Sequence, residues 1–300
     1  MSISAVTLTE EEYLLPGNRS CPGCALSLAY RHILKALAGQ AIITVPASCL
    51  TVLMGMYPLT SASVPCVNTP FASTGAAATG LVAGLKAVGR RGLTVAAIAG
   101  DGGTYDIGIQ SLSGAAEREE DFIYICYDNE GYMNTGNQRS GSTPSGAVSG
   151  TTPLGKTQNQ KDIIAIMEAH GIPYLATASA TYPLDLYEKV RKAKEISGTR
   201  FIHVFTPCPP GWRFPSSDTI EIGKLAVETA LVVLYEVEGG IFRLTSASES
   251  LARRGNLKPL SDYFGRQGRF KNLTQPQINE WQGRINTRWR AYLKRANEAR

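Results

Sequence analysis

The sequence lacks any run of roughly eighteen uninterrupted apolar residues, the length a membrane-spanning helix needs. Its opening stretch, MSISAVTLTEEEYLLPG, has neither a basic start nor a long apolar core, so no signal peptide is read there. The two absences predict a soluble, cytoplasmic protein with no membrane partner. Histidine is scarce, at three residues, and there is no internal repeat or low-complexity tract. No C-x-x-C-x-x-C-x-x-x-C-P run occurs, which excludes a built-in bacterial ferredoxin domain. Six cysteines in 300 residues do not make a disulfide framework for a chain of this size and compartment. Charged residues are only 18% against 43% hydrophobic, a balance that excludes disorder and provides for a substantial core.

Charge of one sign is unevenly placed. Residues 251–300 hold twelve Lys/Arg and three Asp/Glu, a net +9, while the first 250 residues carry −4. A basic tail can bind nucleic acid. Here it has no nucleic-acid motif and no aromatics spaced for base stacking. A contact surface for an acidic partner subunit is the simpler expectation.

What is present is an alternation of short apolar runs and longer helical patterns. Strands are predicted at 41–47, 94–100, 122–128, 173–179 and 200–206, with helices near 24–38, 74–89, 105–118, 160–170 and 183–196. The strand runs are continuously apolar, as strands covered on both faces are. The pattern predicts an α/β fold, a doubly wound parallel sheet with helices on both faces. Residues 130–159 break the alternation, being rich in Gly, Ser, Thr, Asn and Pro, and a connection this long is disordered or functional. A further helix is expected near 219–238. The expected organisation is one domain over 1–239 and a basic extension over 240–300 with one more helix at 276–298, a subunit-contact arm and not a second core.

Gly100-Asp101-Gly102-Gly103 ends the 94–99 strand, and Asn129 ends the next strand, 28 residues after Asp101. Carboxyl ends of neighbouring parallel strands face one crevice, so the two side chains can reach one ion. A carboxylate, an amide oxygen and a backbone carbonyl suit a hard divalent cation such as Mg²⁺, completed by phosphate oxygens and water. The glycines let the backbone approach a diphosphate, and a following helix would offer it N–H groups. The tetrapeptide alone reads equally as a strand-to-helix turn. The second strand end at this distance favours the cation.

Cys21-Pro-Gly-Cys24 precedes the first long helix, Cys49 follows the first strand, and Cys208 follows the last in Thr-Pro-Cys-Pro-Pro-Gly-Trp. Four thiolates suit a [4Fe–4S] cluster or a structural zinc, and the spacing does not decide between them. Cys49 and Cys208 lie past strand ends on the edge that carries Asp101 and Asn129. Cys126 is expected in the core and Cys66 in a plain loop.

The stretch GDGGTYDIGIQSLSGAAEREEDFIYICYDNEGYMNTGNQRSGSTPSGA resembles the β-type, thiamine diphosphate-binding subunit of the pyruvate:ferredoxin and 2-oxoacid:ferredoxin oxidoreductases. The resemblance spans about residues 17–275, including QGRF at 267–270. It implies Mg²⁺ ligation by Asp101, Asn129 and the Gly131 carbonyl, and diphosphate contact at Gly100, Gly102 and Gly103. It places Asn134, with Thr135 in the N-T-G segment, near the thiazolium and substrate, with Asn134 the catalytic residue. It implies that Cys21, Cys24, Cys49 and Cys208 hold a proximal [4Fe–4S] cluster. Where many thiamine enzymes carry Asn-Asn, this chain has Asp128-Asn129, the form found in the ferredoxin-linked family.

The activity implied is oxidative decarboxylation of a 2-oxoacid, pyruvate foremost, to acyl-CoA and CO₂, with electrons leaving through the cluster to ferredoxin. The Glu that activates thiamine belongs in this family to a separate pyrimidine-binding domain, for which the chain has no room. That Glu, the ferredoxin-like clusters and much of the substrate pocket must come from other subunits. Competing readings are a non-redox thiamine decarboxylase or synthase, the same machinery acting on oxalate, phenylglyoxylate or 2-oxoisovalerate, and a non-catalytic zinc-stabilised scaffold. His32, His170 and His203 are read as structural, Glu117, Glu119 and Glu120 as a solvated helix end, and Tyr105 as either a cofactor neighbour or a core aromatic.

Overall fold

The computed structural model describes residues 8–299. Its centre is an eight-stranded sheet: β1 (Ala41–Pro46), β2 (Cys66–Thr69), β3 (Thr94–Gly100), β4 (Ile123–Asp128), β5 (Tyr174–Ser179), β6 (Arg200–Phe205), β7 (Tyr235–Glu238) and β8 (Ile241–Leu244), in the order β2-β1-β3-β4-β6-β5-β7-β8. The first six are parallel, while β7 and β8 are antiparallel additions beside β5.

The helices are α1 (Ala25–Leu37), α2 (Cys49–Met54), α3 (Thr74–Ala87), α4 (Ile109–Glu117), α5 (Ile163–Ala169), α6 (Pro183–Glu195), α7 (Pro209–Trp212), α8 (Thr219–Glu228), α9 (Ser246–Arg254), α10 (Leu260–Phe264) and α11 (Gln275–Glu298). None is long and apolar enough to cross a membrane.

Alternation along β4 shows why its sequence is apolar throughout. Tyr124 and Cys126 enter the core layer shared with α4, α8, α10 and α11, whereas Ile123, Ile125 and Tyr127 enter the opposite layer with α1 and α6. A strand buried on both faces has no polar side to show. Cys126 is fully buried, as expected.

Three strands were not evident from the sequence. Cys66 begins the edge strand β2 and is not a loop residue; its register with Ile43 is set by β1. The helix expected over 219–238 ends at Glu228, because Ala230 adopts φ 55° and the chain then enters β7. Gly239-Gly240, both at positive φ, form the two-residue turn into β8, the conformation such hairpins require. The chain at 239–240 is therefore mid-hairpin, and Phe242, Leu251, Tyr263, Phe270, Trp281, Ile285 and Trp289 complete the same core as the sheet.

The direction of chain travel reverses between β1 and β3, since β2 lies outside β1 while β4 lies on the other side of β3. Ligands of open α/β sheets bind outside the carboxyl ends of strands at such a reversal.

Candidate functional site: two cavities with a common wall

A cavity of about 150 Å³ opens at that reversal, lined by Ala47–Cys49 after β1, Gly100–Gly103 after β3, Tyr127, Asn129, and residues 131–135. All eight residues expected from the sequence to face the diphosphate, cation and thiazolium line it: Gly100, Asp101, Gly102, Gly103, Asn129, Gly131, Asn134 and Thr135. Asp101 and Asn129 are buried, whereas Asn134 and Thr135 are exposed at the rim. Close approach requires glycine here, since a Cβ on Gly102 would stand 2.4 Å from the Tyr132 ring. The N–H groups that follow the motif belong to a π turn over Gly102–Asp106, and α4 begins only at Ile109.

The inner end of the Asn129 amide lies 2.9 Å from the Gly131 carbonyl oxygen and 3.0 Å from Asp101 Oδ1. With its nitrogen inward the amide donates to both. With its oxygen inward, three oxygens converge with no hydrogen between them, the donor set a hard cation needs. The turn that brings them together is strained, because Glu130 holds φ 62° without being glycine. Burial, with Asp128 close by, pushes the Asp101 carboxyl well above the usual carboxylate range. A bound cation would reverse that shift.

Asp128 has the opposite fate. Burial alone would raise it, but hydrogen bonds from His203 (2.8 Å), Ser142 (2.5 Å) and Tyr105 (2.9 Å) hold it below its ordinary value. The backbone N–H of Glu130 supplies a fourth donor at 2.8 Å. His203 and Tyr105 are thus polar partners of a buried carboxylate. Sequence reading treated His203 only as structural and left Tyr105 open, because nothing in their spacing links them to Asp128.

The 129–162 segment, which has no helix or strand, is pinned from below. Ser140 Oγ donates to Asp101 Oδ2 (2.5 Å), Thr143 Oγ1 donates to the Glu130 carbonyl (2.7 Å), and the buried Lys156 ammonium donates to the carbonyls of Ser140, Gly141 and Thr143. The sequence leaves residues 130–159 as either disordered or functional, and its spacing gives no sign of these anchors.

The second cavity, about 510 Å³, is lined by all four predicted cysteines, Cys21, Cys24, Cys49 and Cys208. Thr219 Oγ1 donates to the Gly23 carbonyl (2.7 Å), and Gly23, at φ 69°, presses so close to Ser216 that a Cβ would meet its carbonyl at 2.3 Å. These contacts bring the Cys21–Cys24 loop to the segment just after Cys208. Burial, with the other thiols of the set adding to it, pushes the Cys49 and Cys208 thiols up to about 12. No three His, Cys, Asp or Glu side chains among the described residues are gathered tightly enough for a single metal ion. All four thiols stand at the wall of this one cavity. Cys49, Asn129, Met133 and Asn134 line both cavities.

The family described as the thiamine pyrophosphate enzyme C-terminal TPP-binding domain matches residues 47–204. Pyruvate synthase subunit PorB of Methanothermobacter marburgensis is 47% identical over 275 residues, covering 90% of this chain and 93% of that protein. The chain is a β-type, thiamine diphosphate-binding subunit of the 2-oxoacid:ferredoxin oxidoreductase family. Ketoisovalerate oxidoreductase subunit VorB of Pyrococcus horikoshii is 42% identical over 301 residues, 97% of this chain and 96% of its own. Relatives of this subunit thus divide between two substrates, and a pyruvate or ketoisovalerate enzyme is the level at which they agree. The fold is shared with the 2-oxoglutarate:ferredoxin oxidoreductase of Magnetococcus marinus, whose structure contains 2-oxoglutarate, coenzyme A and succinyl-CoA; TM-score 0.57, 20% identity, 72% of this chain and 84% of that one.

Proposed function

We propose that this chain holds thiamine diphosphate and Mg²⁺ in the smaller cavity and a [4Fe–4S] cluster in the larger. The complex it belongs to would decarboxylate pyruvate oxidatively to acetyl-CoA. The observation that carries the reading is the common wall of Cys49, Asn129, Met133 and Asn134, which sets a candidate cofactor site directly against a candidate electron acceptor.

Asp101, Asn129 and the Gly131 carbonyl would hold the cation, with Gly100, Gly102 and Gly103 giving the diphosphate room. Asn134 and Thr135, exposed at the rim, would meet the reacting end of the cofactor and the substrate. Bound there, thiamine supplies the electron sink for CO₂ loss, and a cluster supplies a one-electron acceptor. Met133, packed so close to Gly211 that a Cβ there would lie 2.2 Å from its sulfur, would place an apolar side chain between the sites. Partner subunits would bring the pyrimidine-domain Glu, the ferredoxin-like clusters and the rest of the substrate pocket. External ferredoxin would take the electrons and coenzyme A the acyl group. The basic 240–300 segment, with its long α11, would contact an acidic partner subunit.

The test is anaerobic purification of this chain for metal and sulfide analysis, and assay of the assembled complex against a panel of 2-oxoacids. About four iron and four sulfide bound by the four cysteines of each chain, with viologen reduction driven best by pyruvate, is the expected result. Best turnover with 2-oxoisovalerate, oxalate or phenylglyoxylate would reassign the substrate. Stoichiometric zinc at these cysteines and no reduction would return the scaffold reading.

A further inference from the structure

Two carboxylates, Asp101 and Asp128, lie buried within mutual electrostatic reach at the ends of adjacent strands, yet only one can serve a cation. The hydroxyls of one short strap sort them. Thr143 Oγ1 accepts the Ser140 N–H (2.9 Å) and gives its own hydrogen to the Glu130 carbonyl (2.7 Å), so it has none for Ser140. Ser140 Oγ accepts the Ser142 N–H (3.1 Å), which leaves its single hydrogen for Asp101 Oδ2, 2.5 Å away. Ser142 Oγ donates to Asp128 Oδ2 (2.5 Å), joining His203, Tyr105 and the Glu130 N–H there. Asp128 thus receives four protein donors. Asp101 has Oδ2 engaged by Ser140 and Oδ1 3.0 Å from the inner end of the Asn129 amide, which also reaches the Gly131 carbonyl.

We infer that Ser140 is the positioning residue of the cation site, fixing the rotation of the Asp101 carboxylate so that Oδ1 alone faces the ion. The inference rests on the reading of Asp101, Asn129 and Gly131 as the cation's ligands. Ser140 touches neither ion nor cofactor. It acts by holding a ligand, and partners of that kind typically change metal affinity by about 10–100-fold.

The experiment uses the assembled complex stripped of cation and cofactor. Mn²⁺ is titrated at saturating thiamine diphosphate, and binding is read from loss of the free-ion electron paramagnetic resonance signal. Ser140→Ala is expected to weaken Mn²⁺ binding at least about tenfold, with an unchanged circular dichroism spectrum. Ser140→Cys, nearly the same size but a poor donor, is expected to shift affinity in the same direction and serves if the alanine variant does not fold. Thr143→Val removes the strap's hold on the Glu130 carbonyl and the Ser140 N–H but leaves the Ser140 hydroxyl on Asp101, and should weaken binding clearly less than Ser140→Ala does.

Equal losses in the Ser140 and Thr143 variants would overturn the inference, since they would show the strap to matter only as structure. Wild-type Mn²⁺ affinity in Ser140→Ala and Ser140→Cys would overturn it too. A wild-type complex that binds no Mn²⁺ in the presence of thiamine diphosphate would defeat the underlying cation-site reading, which is a different result.

Discussion

The indole Nε1 of Trp212 donates to the backbone carbonyl of Asn129 at 2.8 Å, tying the segment that begins at Cys208 to the turn that carries the proposed cation ligands. Trp212 is fully buried, with the Arg269 guanidinium 3.7 Å over its ring and Phe205 beside it at 5.4 Å. A second bond, from Asn137 Nδ2 to the Gly211 carbonyl, runs across the same seam.

Trp212→Phe keeps the stacking and removes the donor, leaving a buried carbonyl without it. The expected cost is about 1–3 kcal/mol, seen as a lower urea midpoint, together with weaker thiamine diphosphate binding. A midpoint indistinguishable from wild type would mean that the bond contributes nothing.

Asp101→Ala removes the one charged side chain facing the proposed ion, so repulsion from the diphosphate goes uncompensated. Mg²⁺-dependent thiamine diphosphate binding should vanish in calorimetry while the visible spectrum of the cluster persists. Normal cofactor affinity would show Gly100–Gly103 to be only a turn.

Cys208→Ser should spoil the larger cavity's ligand set while leaving Asp101 and Asn129 untouched. Viologen or ferredoxin reduction is expected to collapse, with CO₂ exchange surviving in part and thiamine still bound. Loss of thiamine together with the cluster would make the cysteines structural first.

Alkylation of the iron-free chain gives an order without any enzyme assay. Cys21 is exposed, Cys49 and Cys208 are partly covered with thiols pushed up to about 12, and Cys126 is buried. Because the thiolate is the nucleophile, Cys21 should label first at neutral pH, Cys49 and Cys208 more than about tenfold slower, and Cys126 only on unfolding. Mass spectrometry of timed samples reads the sequence of events; early modification of Cys126 would contradict the packing.

Much of this is legible in the sequence itself. The parallel strands announce themselves because burial on both faces leaves runs such as Ile123–Tyr127 with no polar residue, and Gly100–Gly103 with Asn129 marks strand ends whose spacing implies one crevice. The hairpin was hidden because Leu231–Leu234 continues the apolar pattern of α8, although Gly239-Gly240 was its available signal. The partners of Asp128 were not legible at all. Tyr105, in the turn after β3, and His203, on β6, lie 98 positions apart and meet at Asp128 because β4 runs between β3 and β6 in the sheet, a placement fixed by the fold and not by any local pattern. The serine strap was equally silent, since its hydroxyls find carboxylates 39 and 14 residues away.

The anchoring of residues 129–162 also bears on how the protein breathes. Lifting this segment would strip Asp101 and Asp128 of hydroxyl donors and would free the Lys156 ammonium from three carbonyls in one event, so it cannot fray residue by residue. The amides of the buried stretch 140–143 should therefore exchange more slowly than those of the exposed residues 134–136 in the same segment, and proteases should find no nick site there. Asn134 and Thr135, exposed, are left as the open side of the smaller cavity, above a floor that is already hydrogen-bonded.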